Sequence, residues 1–353
     1  MASPSLDTFC CAVSEDHPSL QRRLHFSSSP YNIVCAISSL LGIFGASYQI
    51  FPSSDDSHSR HAPLSGHRQK HIITYLAVAD LFASFGIFLR SILWLTENDW
   101  MSNIDSEAGS SFCAIISGWI QFCYGATYLW TLCYAIDVLK TIKQKTWTPI
   151  IYHCVAWGIP MTLTICGMTV LYAPDFKCHS NVFHVLTNYL ITYIPILTVM
   201  IVNPVLYCVA SNKAIQLVSS LLGRFTQQER QMMSALREKF FSIVLVFYVC
   251  WSPNVLNGLL LWTTWGQLPR KFLIGLWYVM AVINPLQAVM NAFVYRGCRD
   301  LRKWCWILWS LRPWSVTCGE PPHPSYTEIE DTDIAADSSF FINLFRSDAM
   351  VST

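Results

Sequence analysis

Seven stretches of the chain are apolar over a length that matches a bilayer, and polar connections separate them. They fall near residues 31–51, 71–95, 113–138, 149–172, 185–209, 240–264 and 272–295. A hydrocarbon core about 30 Å thick needs about 20 helical residues at 1.5 Å each, so each stretch predicts a spanning helix. A further pattern follows the last span. Within 299–312, Leu301, Trp304, Cys305, Leu308 and Leu311 share one side of a helix, and Pro313 stops it. This predicts a helix lying in the interface plane with its tryptophans at headgroup level. The expected fold class is all-α integral membrane: a seven-transmembrane helix bundle with a short interfacial helix after the seventh span. The expected division is an N-terminal segment at 1–30, the bundle at 31–295, the interfacial helix at 296–313 and an acidic, polar, disordered tail at 314–353.

Composition agrees with that pattern. Hydrophobic residues make up 53% of the chain and charged residues 13%, against a charged fraction of about 25% in soluble domains. The formal net charge is +1, and no polar segment gathers enough Lys and Arg to neutralise a phosphate backbone, which excludes nucleic acid as a partner. The placement of the bases predicts orientation. Sixteen of them, including Arg68, Lys140, Lys143, Arg237, Lys239 and Arg302, fall in 52–70, 139–148, 210–239 and 296–312. Five fall on the opposite side, where 96–112 carries only acids. Positive charge is retained in the cytosol, so the N-terminus is expected to be lumenal or extracellular and the C-terminus cytosolic. The first 30 residues show no cleavable leader pattern, and the first span is expected to act as its own insertion signal.

Cysteine position sorts with the same topology, since disulfides persist on the oxidising face. Cys113 opens the third span and Cys178 lies in the loop after the fourth, both on the outer side, so a bridge between them is expected. Cys298 and Cys305 are candidate acylation sites, with unmodified thiols as the alternative. No His/Cys cluster has zinc spacing.

Polar residues inside apolar helices carry the candidate chemistry. Asp80 lies within the second span, where an ionised carboxylate costs several kcal/mol unless paired or hydrated. One reading places it opposite Asn284 across a polar cavity able to hold sodium; the other is a neutral acid bonded to one neighbour. Pro253 removes the amide partner of the Val249 carbonyl and bends the sixth span beside Trp251, either as a passive kink or as a switch in which the indole changes packing as the bend changes. Asn284 and Pro285 repeat the device in the seventh span. Asp137 ends the third span near Lys140 and Lys143, as an ionic latch or as a surface acid. Polar candidates for an outer-half pocket are Gln121, Asn188, Tyr189, Tyr193, Asn257 and Tyr278. They form no catalytic set, so an enzyme is not expected and no cofactor is required. The seventh span has no lysine for a retinal Schiff base. The 210–239 segment is expected to extend two helices, with Thr226 and Glu229 at capping-box spacing ahead of Met232, Met233, Leu236 and Phe240. Two short strings can act as sorting addresses: Leu221 with Leu222, and Tyr326 to Ile329.

Asp80, the Cys113 and Cys178 pair, Trp157, Cys250 to Pro253 and Asn284 with Pro285 together resemble the G-protein-coupled receptor superfamily. The chain departs from the rhodopsin-like pattern by lacking an Asp-Arg-Tyr triplet, a mid-helix asparagine in the first span and a tyrosine at the expected place after Pro285. The opening MASPSLDTFCC followed by IYHCVAWG, YIPILTVMIVNPVLY, CWSPN and NPLQA resembles the ocular albinism type 1 family of pigment-cell receptors over most of 1–316. The resemblance implies a receptor for a small aromatic amino acid of the melanin pathway, such as L-DOPA or tyrosine. It further implies heterotrimeric G proteins as partners, with arrestin and sorting adaptors beside them, and control of melanosome formation and size. The coupling surface expected from it includes Asp137, Lys140, Arg237 and Lys239. It implies residence in melanosome and late endosomal or lysosomal membranes, partly at the plasma membrane, with Leu221 and Leu222 standing where the family has a dileucine signal. The family's Trp-Glu pair in the tail and its lumenal glycosylation sequon are absent here. The competing reading from another class is a small-solute transporter of the same membranes, disfavoured because the spans show no paired halves.

Overall fold

The computed structural model describes residues 28–51, 64–96, 107–143, 145, 148–172, 182–222, 227–263 and 270–296. These form seven long helices: α1 (Ser28–Ile50), α2 (Leu64–Thr96), α3 (Glu107–Ile142), α4 (Pro149–Tyr172), α5 (Val182–Leu222), α6 (Gln227–Thr263) and α7 (Arg270–Arg296). All seven are long and apolar enough to cross a membrane, and no strand occurs among the described residues. The expected helical extensions of α5 and α6 are present, reaching Leu222 and beginning at Gln227. The expected interfacial helix, Cys178, Cys298, Cys305, Tyr326 and Ile329 lie outside the described residues.

Each helix buries one stripe and turns the other outward. On α2 the buried stripe is Leu76, Ala79, Asp80, Ala83, Ser84, Ile87 and Ser91, while Phe82, Phe85 and Leu89 stand exposed. In a bilayer the exposed apolar stripe faces lipid, and helices associate through close packing of small residues. Neighbours in sequence are neighbours in space, and α7 closes the ring on α1 and α2. The most buried span is that of α3 and the least that of α4, at 61% and 28% of their apolar windows, which puts α3 at the centre and α4 at the periphery. The closure of the ring depends on two glycines of α1. A Cβ at Gly42 would sit 2.5 Å from the Pro285 carbonyl oxygen, and one at Gly45 would sit 2.7 Å from Val289 Cα. No side chain fits at either position.

Prolines set the remaining contacts. Each proline within a helix strips the carbonyl four residues back of its amide donor, and hydrocarbon offers no water to replace it. Pro285 frees the Ala281 carbonyl, which accepts from Ser38 Oγ of α1 at 2.7 Å. Pro204 frees the Met200 carbonyl, which accepts from Tyr248 Oη of α6 at 2.8 Å. On α4, a five-residue π-helical segment at Cys154–Gly158 precedes Pro160; such wide turns re-register a helix locally. The sequence pattern gave no sign of that segment.

Removing the Ser38 hydroxyl should cost about 1 kcal/mol. Ser38→Ala is therefore expected to lower the thermal unfolding midpoint of the purified protein by roughly 2–4 °C; an unchanged midpoint would show that the Ala281 carbonyl does not depend on it.

Candidate functional site

The core of the bundle holds a short series of polar residues in an otherwise apolar interior. Asp80 of α2 is 2% exposed. Its two carboxylate oxygens accept from Thr127 Oγ1 of α3 at 3.0 Å and Asn291 Nδ2 of α7 at 2.9 Å. The expected partner Asn284 does not bond Asp80. It lies two turns away on α7, about 10 Å along the axis, and exchanges amide hydrogen bonds with Asn254 of α6 at 3.1 and 3.3 Å. Each carboxylate oxygen thus accepts one side-chain donor, from α3 and from α7 respectively. Thr127 and Asn291 are the polar neighbours of the carboxylate, and no step through a cation is drawn. No group of three or more His, Cys, Asp or Glu side chains suited to a metal occurs among the described residues.

Trp251 is fully buried, at 0% exposure. Its ring meets Tyr128 edge-on at a centroid distance of 4.5 Å and Tyr124 at 5.0 Å, with Phe247 at 6.5 Å. Edge-to-face contacts of this kind contribute about 0.5–1.5 kcal/mol each. Among the described residues the indole nitrogen has no hydrogen-bond partner, so ring packing is what holds it. Trp277 on α7 differs: its indole donates to Asn257 Oδ1 at 3.1 Å. Val249, whose carbonyl Pro253 frees, is 42% exposed and Pro253 is partly buried, while Trp251 and Asn254 are buried.

Among the described residues the six outer-half polar candidates make separate contacts. Gln121 lines a cleft shared with Thr164, Pro160, Thr192 and Pro195. Asn188 is buried against Gly167 of α4. Tyr189 and Tyr193 pack together at 5.6 Å, and the Tyr193 ring fills the space beside Gly258. Asn257 binds Trp277, and Tyr278 meets Tyr31 of α1 edge-on at 5.7 Å.

At the basic face of the bundle Asp137 is 0% exposed, which removes the surface-acid reading. Its Oδ1 accepts from Arg68 Nε of α2 and from Tyr152 Oη of α4, the latter at 2.8 Å. Arg68 also donates to Thr141 Oγ1 at 3.1 Å. Three helices thus meet on one carboxylate. Arg237 of α6 donates to Ser211 Oγ of α5 at 3.2 Å; Lys140 and Lys239 are half-buried near the same face. Cys113 is disulfide-bonded, and the other described cysteines are free, so its partner is a cysteine outside the described residues.

Sequence reasoning missed Thr127, Asn254, Asn291, Arg68 as an ion-pair partner, and Tyr152. A heptad step from Asn284 to Asn291 carried a signal, because residues seven apart share a helix face. Arg68 carried none beyond its charge, since its partner is 69 positions away.

A family model described as ocular albinism type 1 protein matches residues 1–312. The human protein G-protein coupled receptor 143 is 29% identical over 318 residues, covering 84% of this chain and 77% of that protein. Cyclic AMP receptor-like protein C of Dictyostelium discoideum is 21% identical over 233 residues, covering 64% of this chain and 62% of its own length.

Removing one partner of a buried ion pair typically costs about 3–5 kcal/mol. Arg68→Ala is expected to lower the unfolding midpoint by several degrees, and Asp137→Asn added to it should recover most of the loss because no stranded charge remains. Simple additivity of the two losses in the unfolding midpoint would show that the pair does not interact.

Proposed function

The chain belongs to the ocular albinism type 1 protein family, and from that membership we propose that it is a seven-helix receptor that passes the binding of an outer ligand to a heterotrimeric G protein. Both relatives named above are themselves named as receptors. The observation that carries the reading is Trp251: a fully buried indole, free of hydrogen bonds, two residues before a proline in the helix whose basic end extends beyond the bilayer. A ring held only by edge contacts changes position without breaking a hydrogen bond. A ligand that favours the shifted ring by a few kcal/mol then moves the population of α6.

The ligand we propose is a small aromatic amino acid of the L-DOPA or tyrosine type, and the output is control of melanosome biogenesis and size. Family membership supports both. The G protein meets the cytosolic ends of α3, α5 and α6, where Asp137, Lys140, Arg237 and Lys239 stand, and arrestin and sorting adaptors share that face. In the resting state the Arg68–Asp137–Tyr152 cluster ties α2, α3 and α4 together at the site of docking. Cys178 is the partner assigned to Cys113, pinning the loop after α4 to the outer end of α3. Leu221 and Leu222, at the end of α5, serve as the address for melanosomal and lysosomal membranes.

Purified receptor is expected to accelerate nucleotide exchange on at least one G-protein class when L-DOPA is added. Trp251→Ala should reduce the ligand-driven part by roughly tenfold, equivalent to 1.4 kcal/mol, while folded yield changes less; Pro253→Ala should likewise alter exchange more than abundance. Ligand-independent rates across all G-protein classes would refute the reading. For the sorting address, replacing Leu221 and Leu222 by Ala should move the protein toward the plasma membrane in pigment cells, and unaltered organelle staining would remove those residues from the account.

A further inference from the structure

The end of the bundle opposite the basic face holds a base within a span. Arg90 of α2 stands six residues before Thr96, where the helix ends, about 9 Å along the axis. A base at that depth either carries its head out to the headgroups or turns it inward among partners. Arg90 turns inward. It donates to the Cys35 sulfur of α1, and its charge is felt at the hydroxyls of Tyr31 on α1 and Tyr124 on α3. Those three residues are each 2% exposed. The Tyr31 ring meets Tyr278 of α7 edge-on at 5.7 Å, so α1, α2, α3 and α7 converge on a cluster built around this cation. Asp80 lies ten residues deeper on the same helix, about 15 Å along the axis, where Thr127 and Asn291 bond it. Arg90 and Tyr278 are half-buried, so the cluster keeps accessible surface.

The chemistry of that cation selects its ligand. A guanidinium holds its charge at every working pH and presents its N–H groups as a planar fork that matches a carboxylate. Two-pronged bonds between opposite charges are about twice as strong as neutral ones, so a carboxylate displaces a weak acceptor such as the Cys35 sulfur. We propose that this cluster is the carboxylate-binding end of the outer-ligand site: Arg90 grips the carboxylate of a small aryl carboxylate with both prongs, and the aryl ring packs on the Tyr31 and Tyr278 pair. The inference rests on the receptor reading above and goes beyond it by naming the group of the ligand that is recognised and the residue that recognises it. Tyr124 carries the consequence inward. It feels the Arg90 charge and meets Trp251 edge-on at 5.0 Å, so a shift of the Arg90 head reaches the buried indole through one residue.

The test titrates full-length protein in nanodiscs and reads the rise in its unfolding midpoint. Three probes are used: L-DOPA; hydrocinnamate, which keeps a ring and carboxylate without an ammonium; and phenethylamine, which has the hydrocinnamate skeleton with an ammonium in place of the carboxylate. Both carboxylates are expected to raise the midpoint of the wild type saturably. Arg90→Gln should weaken each of them roughly tenfold or more, the loss that follows from removing charge-assisted bonds, and leave the response to phenethylamine unchanged. Arg90→Lys, which keeps the charge without the fork, should fall between. Should neither variant fold, the wild type decides: hydrocinnamate, and not phenethylamine, is expected to slow modification of Arg90 by the arginine reagent phenylglyoxal. No saturable shift with either carboxylate, equal weakening of carboxylates and amine, or unchanged affinity in a folded Arg90→Gln overturns the proposal. The readout needs no G protein. Carboxylate binding that depends on Arg90 without ligand-driven exchange would sustain this site and sink the signalling reading, while exchange that survives Arg90→Gln at full potency would do the reverse.

Discussion

Backbone hydrogen bonding in hydrocarbon is the constraint on which the rest of this bundle depends. A soluble protein can let water reach a carbonyl that proline has stripped of its donor, but a membrane interior cannot. Pro160, Pro195, Pro204, Pro253 and Pro285 each create such a carbonyl inside a span. Two of these are answered by side chains from neighbouring helices, Ser38 for Ala281 and Tyr248 for Met200. The answers specify which helix must lie beside which. Helix α1 can offer Ser38 to α7 only because Gly42 and Gly45 let the two backbones approach, so a sequence of small residues on one helix and a proline on another form a single requirement.

The interior polar residues obey the same rule with different consequences. Asp80 reads at first as an expensive charge seeking a cation, yet both of its oxygens already take protein donors. Satisfied polar networks rigidify a core, and this one fastens α2, α3 and α7. The tryptophans divide along the same line. Trp277 is pinned by Asn257, whereas Trp251 rests on aromatic edges with its N–H unbonded. Of two buried indoles in adjacent helices, the one beside Pro253 is held by the weaker class of contact.

Periodicity and length made the seven spans legible, since a bilayer demands about 20 apolar residues whatever the fold. Polar residues deep in those spans marked the core positions: Asp80, Asn257, Asn284 and Trp251 are all buried. Pairing was not legible, because partners come from helices tens to hundreds of positions apart, as Asn291 does for Asp80 at a separation of 211. The Asp137 cluster shows the limit most plainly. Adjacent lysines left an ionic latch and a surface acid both open, because the direction of a side chain at a helix end depends on helix rotation, and rotation follows from packing over the whole length of α3. The π-helical turn on α4 has the same origin, since it records a local register shift that no residue type announces.

The distribution of these ties divides the bundle. Asp80 with Thr127 and Asn291, Ser38 with Ala281, and Asp137 with Arg68 and Tyr152 bind α1, α2, α3, α4 and α7 into one block at core and basic face. Helices α5 and α6 are bonded to each other by Tyr248 to Met200 and Arg237 to Ser211. Their named bonds to the block, Asn254 with Asn284 and Asn257 with Trp277, stand toward the end of α6 opposite its basic extension. Helix α5 also packs along α3 and α4, so the pair is joined to the block by apolar contact as well as by these bonds. Pro253 lies within one residue of Asn254, so the bend in α6 begins where the fastening is.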